Sequence, residues 1–286
     1  MTKKILLIIL VILNISCSTS CIKKSNLRKL SDRELIERAK NNQFYPKNMD
    51  SIIYRDSLLK IISIPDLEKY PDLDSWTVDH YVNEKGILKE YRLRKKTQRD
   101  NVLKDSIDFL LESHTVRKIE TLEIDCARIK KLLDDVYISD TKNRENHFVI
   151  DSDKDYSNLQ IVINIIDKCG MPNLEIVEKK HLQAIWLTLQ HNDNYYRKKY
   201  FKYIKKIVTN GDLDLSYLAM MEDRILVEDG KLQLYGTQVK FNEETKKWEL
   251  CPISEPSSLE KRRKEMNLEP INSYLKQWNI EFDFNK

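Results

Sequence analysis

The chain has 286 residues, 41% of them hydrophobic and 33% charged, a balance that supports a buried core and excludes an intrinsically disordered protein. Only 5 glycines and 7 prolines occur, which excludes collagen-like and linker-like chains and favours long helices. The formal net charge is +4, and Lys3 and Lys4 of the leader contribute part of it. A charge so close to zero gives no electrostatic reason to expect a nucleic acid as partner.

The amino-terminal residues have the pattern of an export signal. Lys3 and Lys4 precede an unbroken apolar run, Ile5–Leu13. As a helix this run rises only ~14 Å, which is too short for a hydrocarbon core of ~30 Å. Residues 1–16 are therefore predicted to be a signal peptide and are excluded from the fold.

The four residues Asn14-Ile15-Ser16-Cys17 resemble the lipobox of bacterial lipoproteins, in which an acylated cysteine becomes the new amino terminus. We predict Cys17 as a lipid anchor, with the membrane as a partner. Cys21 is a weaker second site, and a secretory peptide with an incidental cysteine is the alternative. No acidic run follows Cys17, so we expect a protein of the bacterial cell envelope that faces the periplasm.

The remaining cysteines, Cys21, Cys126, Cys169 and Cys251, contain no CxxC pair and give no zinc or thioredoxin-like signature. Four scattered cysteines do not specify a disulfide framework, although an oxidising envelope permits disulfides. Cys126 and Cys169 lie in helical patterns and are predicted to be small buried apolar residues. No metal and no cofactor is predicted.

The region before residue 116 is predicted to be a mixed α/β region behind a tether of residues 17–30. Ser31-Asp32-Arg33-Glu34 is a capping box that opens a short helix. Ile52–Ile64 is compatible with helix or strand. Trp76–Val82 alternates polar and apolar residues, and Ile87–Leu93 follows a turn at Gly86, so these two segments predict a β-hairpin.

Residues 116–286 are predicted to form a helical domain. Helical spacing runs from Val102 to Val136 with a phase slip at Ser113–Arg117, which indicates two long helices or one broken helix ending near Asp140. Further helices are predicted at Tyr156–Lys168, at residues 178–209 with a break at Gln190–Asn194, and at Asp214–Glu228. A second hairpin is predicted from Leu232–Phe241 and Trp248–Ile253, and two closing helices are predicted at Ser257–Met266 and Ile271–Trp278. The predicted fold class is α+β, predominantly helical, with two small β-hairpins.

Several short motifs of the C-terminal half occur in an order that is typical of one bacterial family. They are Gly170-Met171-Pro172, Gln190-His191-Asn192-Asp193, Asp223-Arg224, Tyr235-Gly236-Thr237-Gln238, Pro252-Ile253 and Arg262-Arg263, and upstream of them an Asp140-x-x-x-Arg144 pair. About residues 127–278 thereby resemble the domain-of-unknown-function family 6624. That family has no established activity, so the resemblance implies a domain and no mechanism.

His191 and Asp193 are candidates for general acid–base chemistry. Two residues apart on one helix, their side chains would point about 200° away from each other, so they converge only if the helix breaks at Asn192. The alternative is a histidine bonded to the backbone at a helix junction, with Asp193 as the N-cap of the next helix.

The second group of candidates lies in the Asp214–Glu228 helix and the following hairpin. The side chains of Asp223 and Arg224 point in different directions on their helix, so each requires a partner other than the neighbouring residue. That partner is either a group of the hairpin, which would tie the helix to the hairpin, or a ligand. On a strand, Gln233, Tyr235 and Thr237 would share one face, which suits a pocket lining or a solvated face. The candidate polar site comprises His191, Asp193, Asp223, Arg224, Gln233, Tyr235 and Gln238.

Two functions remain open from the sequence. The first is a ligand- or partner-binding lipoprotein whose partner is an unknown small molecule or envelope protein, since no catalytic motif is present. The second is a hydrolase-like enzyme that uses His191 and Asp193, with Arg224 or Gln238 orienting an anionic or amide substrate. In either case we expect the pocket where the Gln190–Asp193 junction, the end of the Asp214–Glu228 helix and the second hairpin meet.

Overall fold

A computed structural model describes residues 26–46, 48–67, 70, 72–145 and 150–284. The predicted leader, Cys17 and Cys21 lie outside the described residues. The chain divides into two compact units, of which the first ends at Leu111 and the second begins at Glu112. The domain limits drawn from the sequence, 31–115 and 116–286, stay a prediction.

The first unit is a five-stranded sheet with short helices, and its strands follow the order β1-β4-β5-β2-β3. Strand β2 pairs parallel with β5, and the other pairings are antiparallel. Its elements are β1 (Arg28–Lys29), α1 (Asp32–Lys40), β2 (Ile53–Arg55), β3 (Ile61–Ile62), α2 (Ile64–Leu67), β4 (Trp76–Val82), β5 (Leu88–Lys95) and α3 (Gln98–Glu112), with 3-10 turns at Met49–Ser51 and Leu73–Ser75.

Local sequence signals explain how the first unit begins and turns. The predicted capping box is confirmed at α1, where the Ser31 side chain accepts from the Glu34 amide and the Glu34 carboxylate accepts from the Ser31 amide. The predicted hairpin is also confirmed as β4 and β5. Its turn contains Gly86 at φ 72°, a left-handed conformation that glycine adopts without steric cost.

One face of the sheet packs on α1 and α3. The buried residues of this core are Leu30, Leu35, Ala39, Ile52, Val82, Leu88, Tyr91 and Ile107. Strand pairing places His80 opposite Tyr91, and their rings meet edge to face at 4.8 Å. His80 is 8% exposed, so its imidazole is buried on the core side of the sheet.

The second unit is a helical core followed by a small hairpin and two short helices. Its elements are α4 (Ile129–Glu145), α5 (Ser152–Cys169), α6 (Lys179–Gln190), α7 (Asn194–Thr209), α8 (Leu215–Glu228), β6 (Val239–Asn242), β7 (Lys247–Leu250), α9 (Leu259–Glu265) and α10 (Ile271–Leu275), with 3-10 turns at Cys126–Arg128, Pro256–Ser258 and Lys276–Trp278. The predominantly helical α+β class predicted from the sequence is confirmed. Among the described residues, no helix is both long and apolar enough to cross a membrane.

The segment from Ser113 to Asp125 is not helical, although its apolar spacing predicted a helix resuming near Ile119. The side chain of Asn164 in α5 explains the difference, because it accepts from the Leu122 amide at 2.9 Å and donates to the Glu120 carbonyl at 2.8 Å. These bonds satisfy backbone groups that a helix would otherwise pair internally. The segment therefore lies extended along α5.

Cys126 and Cys169 form a disulfide, which corrects the prediction that both are small buried apolar residues. The extended segment brings the 3-10 turn at Cys126–Arg128 beside the last residue of α5, so the two thiols meet. Cys126 is exposed, whereas Cys251 is a buried free thiol.

The strand predicted from Leu232 to Phe241 is confirmed only for β6. Gln233 forms a single bridge with Ile253, and residues 234–238 form a loop. The physical reason is a buried carboxylate on α8 that binds the amides of this loop.

Candidate functional site

The helix break predicted at Asn192 is present, because α6 ends at Gln190 and α7 begins at Asn194. His191 caps the end of α6, and its Nδ1 atom lies 3.0 Å from Oδ1 of Asp140. Asp140 is buried, whereas 21% of the His191 side chain is exposed. The histidine therefore has a carboxylate partner, but that partner comes from α4 and is not Asp193.

Asp140 belongs to a buried polar cluster that joins α4 to α5. Arg144 contacts Asp140 at 3.0 Å and binds both carboxylate oxygens of Asp155, at 2.9 and 2.8 Å. Asn143 donates to Asp155 at 2.9 Å. Arg144 and Nδ1 of His191 both contact Oδ1 of Asp140, each at 3.0 Å, so Arg144 is shared between two carboxylates and the imidazole supplies Asp140 with a second partner.

Several buried polar atoms near the α6–α7 junction have no hydrogen-bond partner in the described part of the chain. They are Asn158 Nδ2, Thr188 Oγ1, Gln190 Oε1, Asn194 Oδ1 and Arg197 Nε. Each of these side chains is less than a tenth exposed. The Asn192 side chain ties the junction to α5 by donating to the carbonyl of Asp155. Since buried polar groups are normally paired, such a group of unpaired atoms requires an explanation.

Arg197 holds the junction together from α7. Its guanidinium donates to the carbonyl oxygens of Gln190 and Asn192 and to the carboxylate of Glu228. Burial lowers the pKa of Arg197, and the bond to Glu228 opposes that shift. Arg224 contacts the same Glu228 at 3.2 Å. The predicted candidate Arg224 therefore makes an ion pair within its own helix, α8.

Asp223 is the centre of a second group. Its carboxylate, fully buried, accepts from the amides of Leu234, Tyr235 and Thr237 at 2.6, 3.0 and 2.9 Å, and from the Thr237 hydroxyl at 2.9 Å. A charged acceptor facing several amides bends the chain around itself, as a phosphate-binding loop does around an anion. Because of this interaction, residues 234–238 form a loop where the sequence predicted a strand.

Gln233 and Gln238 continue the Asp223 group. The buried Gln233 side chain donates to the carbonyls of Gln238 and Cys251 at 3.1 and 2.6 Å and accepts from the Gln238 amide at 2.8 Å. The Gln238 side chain donates to the Thr237 hydroxyl at 3.1 Å. These bonds are internal to the domain, so the Gln233 side chain supports architecture.

Tyr235 is a half-buried member of the Asp223 group. Its hydroxyl donates to the Glu222 carboxylate at 3.2 Å. Burial and the nearby Glu222 raise the pKa of Tyr235 to about 12, and burial raises the pKa of Glu222. Tyr235 is therefore a neutral donor at physiological pH.

The structure thus assigns the candidates to two groups. His191 lies with Asp140 and Arg144, whereas Asp223 lies with Gln233, Tyr235 and Gln238. Asp193 is exposed and makes no side-chain capping bond to α7. Asp140 and Arg144 carried a sequence signal, an acid and a base four residues apart, but nothing in the sequence pointed to Asn143 or Asp155.

A shallow cavity of about 340 Å³ lies elsewhere in the second unit, between the 113–121 segment, α5 and α7. Its polar lining includes Lys118, Glu120, Asn164, Asp167 and Lys199. None of the candidates named from the sequence lines it. In the described residues, no group of three or more His, Cys, Asp or Glu side chains is placed to hold a metal ion.

Comparison with known proteins gives a family and no activity. Residues 146–284 match the model of a family of unknown function, DUF6624, which confirms the resemblance predicted from the motifs. No curated protein and no solved structure matches the chain. Asp140 and Arg144 lie just before the matched residues. The similarity to the DUF6624 family thus covers residues 146–284, just under half of the chain.

Proposed function

We propose that this protein is a lipoprotein of the bacterial envelope whose C-terminal domain binds a small polar ligand at the α6–α7 junction. The observation that carries the proposal is a set of buried, unpaired polar atoms, three of which belong to residues within three positions of the partly exposed His191: Thr188, Gln190 and Asn194. Leaving each such atom unpaired costs about 1–3 kcal/mol. A ligand with both donors and acceptors that reaches these atoms would recover that cost on binding.

The chemistry of the junction limits the ligand. Thr188, Gln190 and Asn194 contribute unpaired oxygens, whereas Asn158 and Arg197 contribute unpaired nitrogens. The neighbouring Asp140, Arg144 and Asp155 already satisfy one another, so the free hydrogen-bonding capacity is largely neutral. We therefore expect a neutral polar ligand rather than a multiply charged anion.

The binding proposal is tested by ligand-induced stabilisation. A panel of amino acids, sugars and short peptides is screened for compounds that raise the melting temperature, since a ligand at a hundredfold excess over its Kd stabilises by about 2.7 kcal/mol. Gln190→Ala and His191→Ala should abolish the increase, whereas the exposed control His114→Ala should keep it. An increase that survives in both junction variants would assign the ligand to another site.

The envelope location rests on the leader and on Cys17. The Cys126–Cys169 disulfide supports it, because disulfides persist in oxidising compartments such as the periplasm. Metabolic labelling with a palmitate analogue tests the anchor. Label should enter the wild-type protein and be absent from Cys17→Ala, and label retained in that variant would refute Cys17 as the anchor.

Hydrolysis is the second candidate function, favoured by the contact between His191 and Asp140. A carboxylate on Nδ1 fixes the proton there and leaves the Nε2 lone pair able to accept a proton from water. In this version His191 is the general base and Asp140, in place of Asp193, orients it. Turnover of chromogenic esters or amides that disappears in both His191→Ala and Asp140→Asn, but persists in Asp193→Asn, would favour this function.

A further inference from the structure

The five-stranded sheet of the first unit has a second face, opposite its packed core. Strand register defines it, because directly paired residues point to the same side of a sheet. Asp79 pairs with Arg92, Arg92 with Arg55, and Arg55 with Ile61. We call this surface the open face, and it comprises Lys29, Ile53, Arg55, Ile61, Thr77, Asp79, Tyr81, Glu90, Arg92 and Arg94.

Cationic side chains form the outer layer of the open face. Glu90 lies beneath Arg55 and Arg92, with its carboxylate 2.8 Å from the Arg55 guanidinium. Asp79 in the same way contacts Lys29 and Arg94, each at 2.8 Å. Both carboxylates are largely buried, whereas Lys29 is 48% exposed. Arg94 also pairs with Asp100 at 2.6 Å, so four basic side chains meet three carboxylates and the face keeps a small excess of positive charge, with Lys29 the most exposed of the four bases.

An apolar turn borders the open face at one edge. The turn between β2 and β3 carries Leu58, 86% exposed, and Leu59, 52% exposed. The Asp56 carboxylate accepts from the amides of Leu58 and Lys60, so the turn is fixed with these leucines outward. Ile53 and Ile61 on the adjoining strands are exposed as well.

The open face is close to the predicted anchor along the chain. Strand β1 begins at Arg28, and the chain from Cys17 to Arg28 spans at most about 40 Å when fully extended. An anchored protein therefore keeps this sheet within that distance of the membrane surface.

We propose that the open face and the Leu58–Leu59 turn bind the surface of a membrane that contains anionic phospholipids. Apolar side chains that project beside basic ones are typical of segments that lie in the headgroup region. Lys29, Arg55 and Arg92 would contact the headgroups, and the two leucines would enter the acyl boundary. The inference goes beyond the ligand site and uses the proposed anchor only to place the sheet near a bilayer.

Co-sedimentation with vesicles tests the proposal on the chain that follows the predicted leader, residues 17–286, carrying Cys17→Ser, so that neither the lipid nor the apolar leader contributes to binding. The protein should bind vesicles of phosphatidylcholine mixed with phosphatidylglycerol and bind phosphatidylcholine alone much more weakly. Raising the salt concentration should reduce binding, because it screens the charges. The test does not depend on lipidation, so its failure would leave the palmitate experiment unaffected.

Matched variants separate the two parts of the surface. Leu58→Ser with Leu59→Asn should weaken partitioning at least tenfold, whereas Leu174→Ser with Leu232→Ser removes two exposed leucines of the second unit and should leave it unchanged. Lys29→Gln and Arg92→Gln should each weaken vesicle binding about fivefold. Neither substitution leaves a carboxylate without a partner, since Asp79 keeps Arg94 and Glu90 keeps Arg55. Lys264→Gln with Lys276→Gln is the charge control.

Three results would overturn the proposal. The first is the absence of binding to the phosphatidylglycerol vesicles. The second is binding that the Leu58 and Leu59 substitutions leave unchanged in a chain whose circular dichroism is native. The third is sedimentation as a dimer that these substitutions convert to a monomer, which would assign the turn to a second copy of the chain.

Discussion

The imidazole of His191 lies 3.0 Å, through Nδ1, from the carboxylate of Asp140, which stands 51 positions earlier in the chain. Asp140 also contacts Arg144, so Asp140→Asn removes a buried charge from a paired cluster. We expect this variant to lose about 3 kcal/mol in the free energy of unfolding. Asp193→Asn, at an exposed position, should change it by less than about 0.5 kcal/mol. Urea denaturation of both variants measures the difference.

The same contact predicts the tautomer of His191. In the wild type the proton should reside on Nδ1, and long-range nitrogen-15 correlation spectra would show this directly. Equal populations of the two tautomers in the wild type would contradict the orientation by Asp140.

The carboxylate of Asp223 shapes the loop that follows α8. In Asp223→Asn an amide nitrogen would face the backbone N–H groups of Leu234, Tyr235 or Thr237, which leaves buried donors unpaired. We expect a loss of at least about 2 kcal/mol in unfolding free energy. Glu222→Gln is the matched control, since within the described residues the Glu222 side chain makes one hydrogen bond, to the Tyr235 hydroxyl, and this variant should cost less than about 1 kcal/mol. Similar losses in both variants would show that Asp223 does not organise the loop.

Gly236 stands in this loop at φ 70°, and a Cβ atom there would lie 2.9 Å from Cδ1 of Ile271 and 3.2 Å from Cδ1 of Ile253. Gly211 has a similar φ of 85° with nothing within 4 Å of its Cβ position. Both alanine variants bear the backbone strain of about 1 kcal/mol. Gly236→Ala should lose about 1 kcal/mol more in unfolding free energy than Gly211→Ala, because its new methyl group is crowded by the two isoleucines. Chemical denaturation of the two variants measures this difference. Equal costs would mean that the isoleucines move aside freely.

Much of the fold follows from local signals in the sequence, and the candidate site follows from it only in part. The Ser31 capping box, Gly86 and the break at Asn192 act within a few residues, so pattern alone located α1, the first hairpin and the α6–α7 junction. Asp223 overrides the strand pattern of residues 233–237 from another element, and Asn164 likewise overrides the helical pattern near Leu122. Long-range polar contacts of this kind leave no periodicity to detect, which is also why Asp155 was missed.

The Cys126–Cys169 disulfide closes a loop with a sequence separation of 43. In the chain-entropy model a loop of that size stabilises the folded state by about 4 kcal/mol. We expect dithiothreitol to lower the midpoint of urea unfolding for the wild type. In the double variant Cys126→Ser and Cys169→Ser the midpoint should already be low and should not respond to dithiothreitol. A response in the double variant would assign the effect to something other than this disulfide.

His80 makes the first unit sensitive to acid. Burial between the rings of Phe44 and Tyr91 lowers the pKa of His80 to about 4, below its ordinary value of 6.5. Between these values the unfolded chain binds a proton that the folded chain does not, so stability is full above pH 6.5 and falls as the pH approaches 4. The difference amounts to about 3 kcal/mol. Hydrogen exchange of the β4 and β5 amides should therefore accelerate between pH 6.5 and 4, after correction for intrinsic rates. His80→Phe keeps an aromatic ring and removes the titration, so its corrected exchange should lack this dependence. A wild-type profile that matches the variant would show that His80 is not the acid-sensitive group.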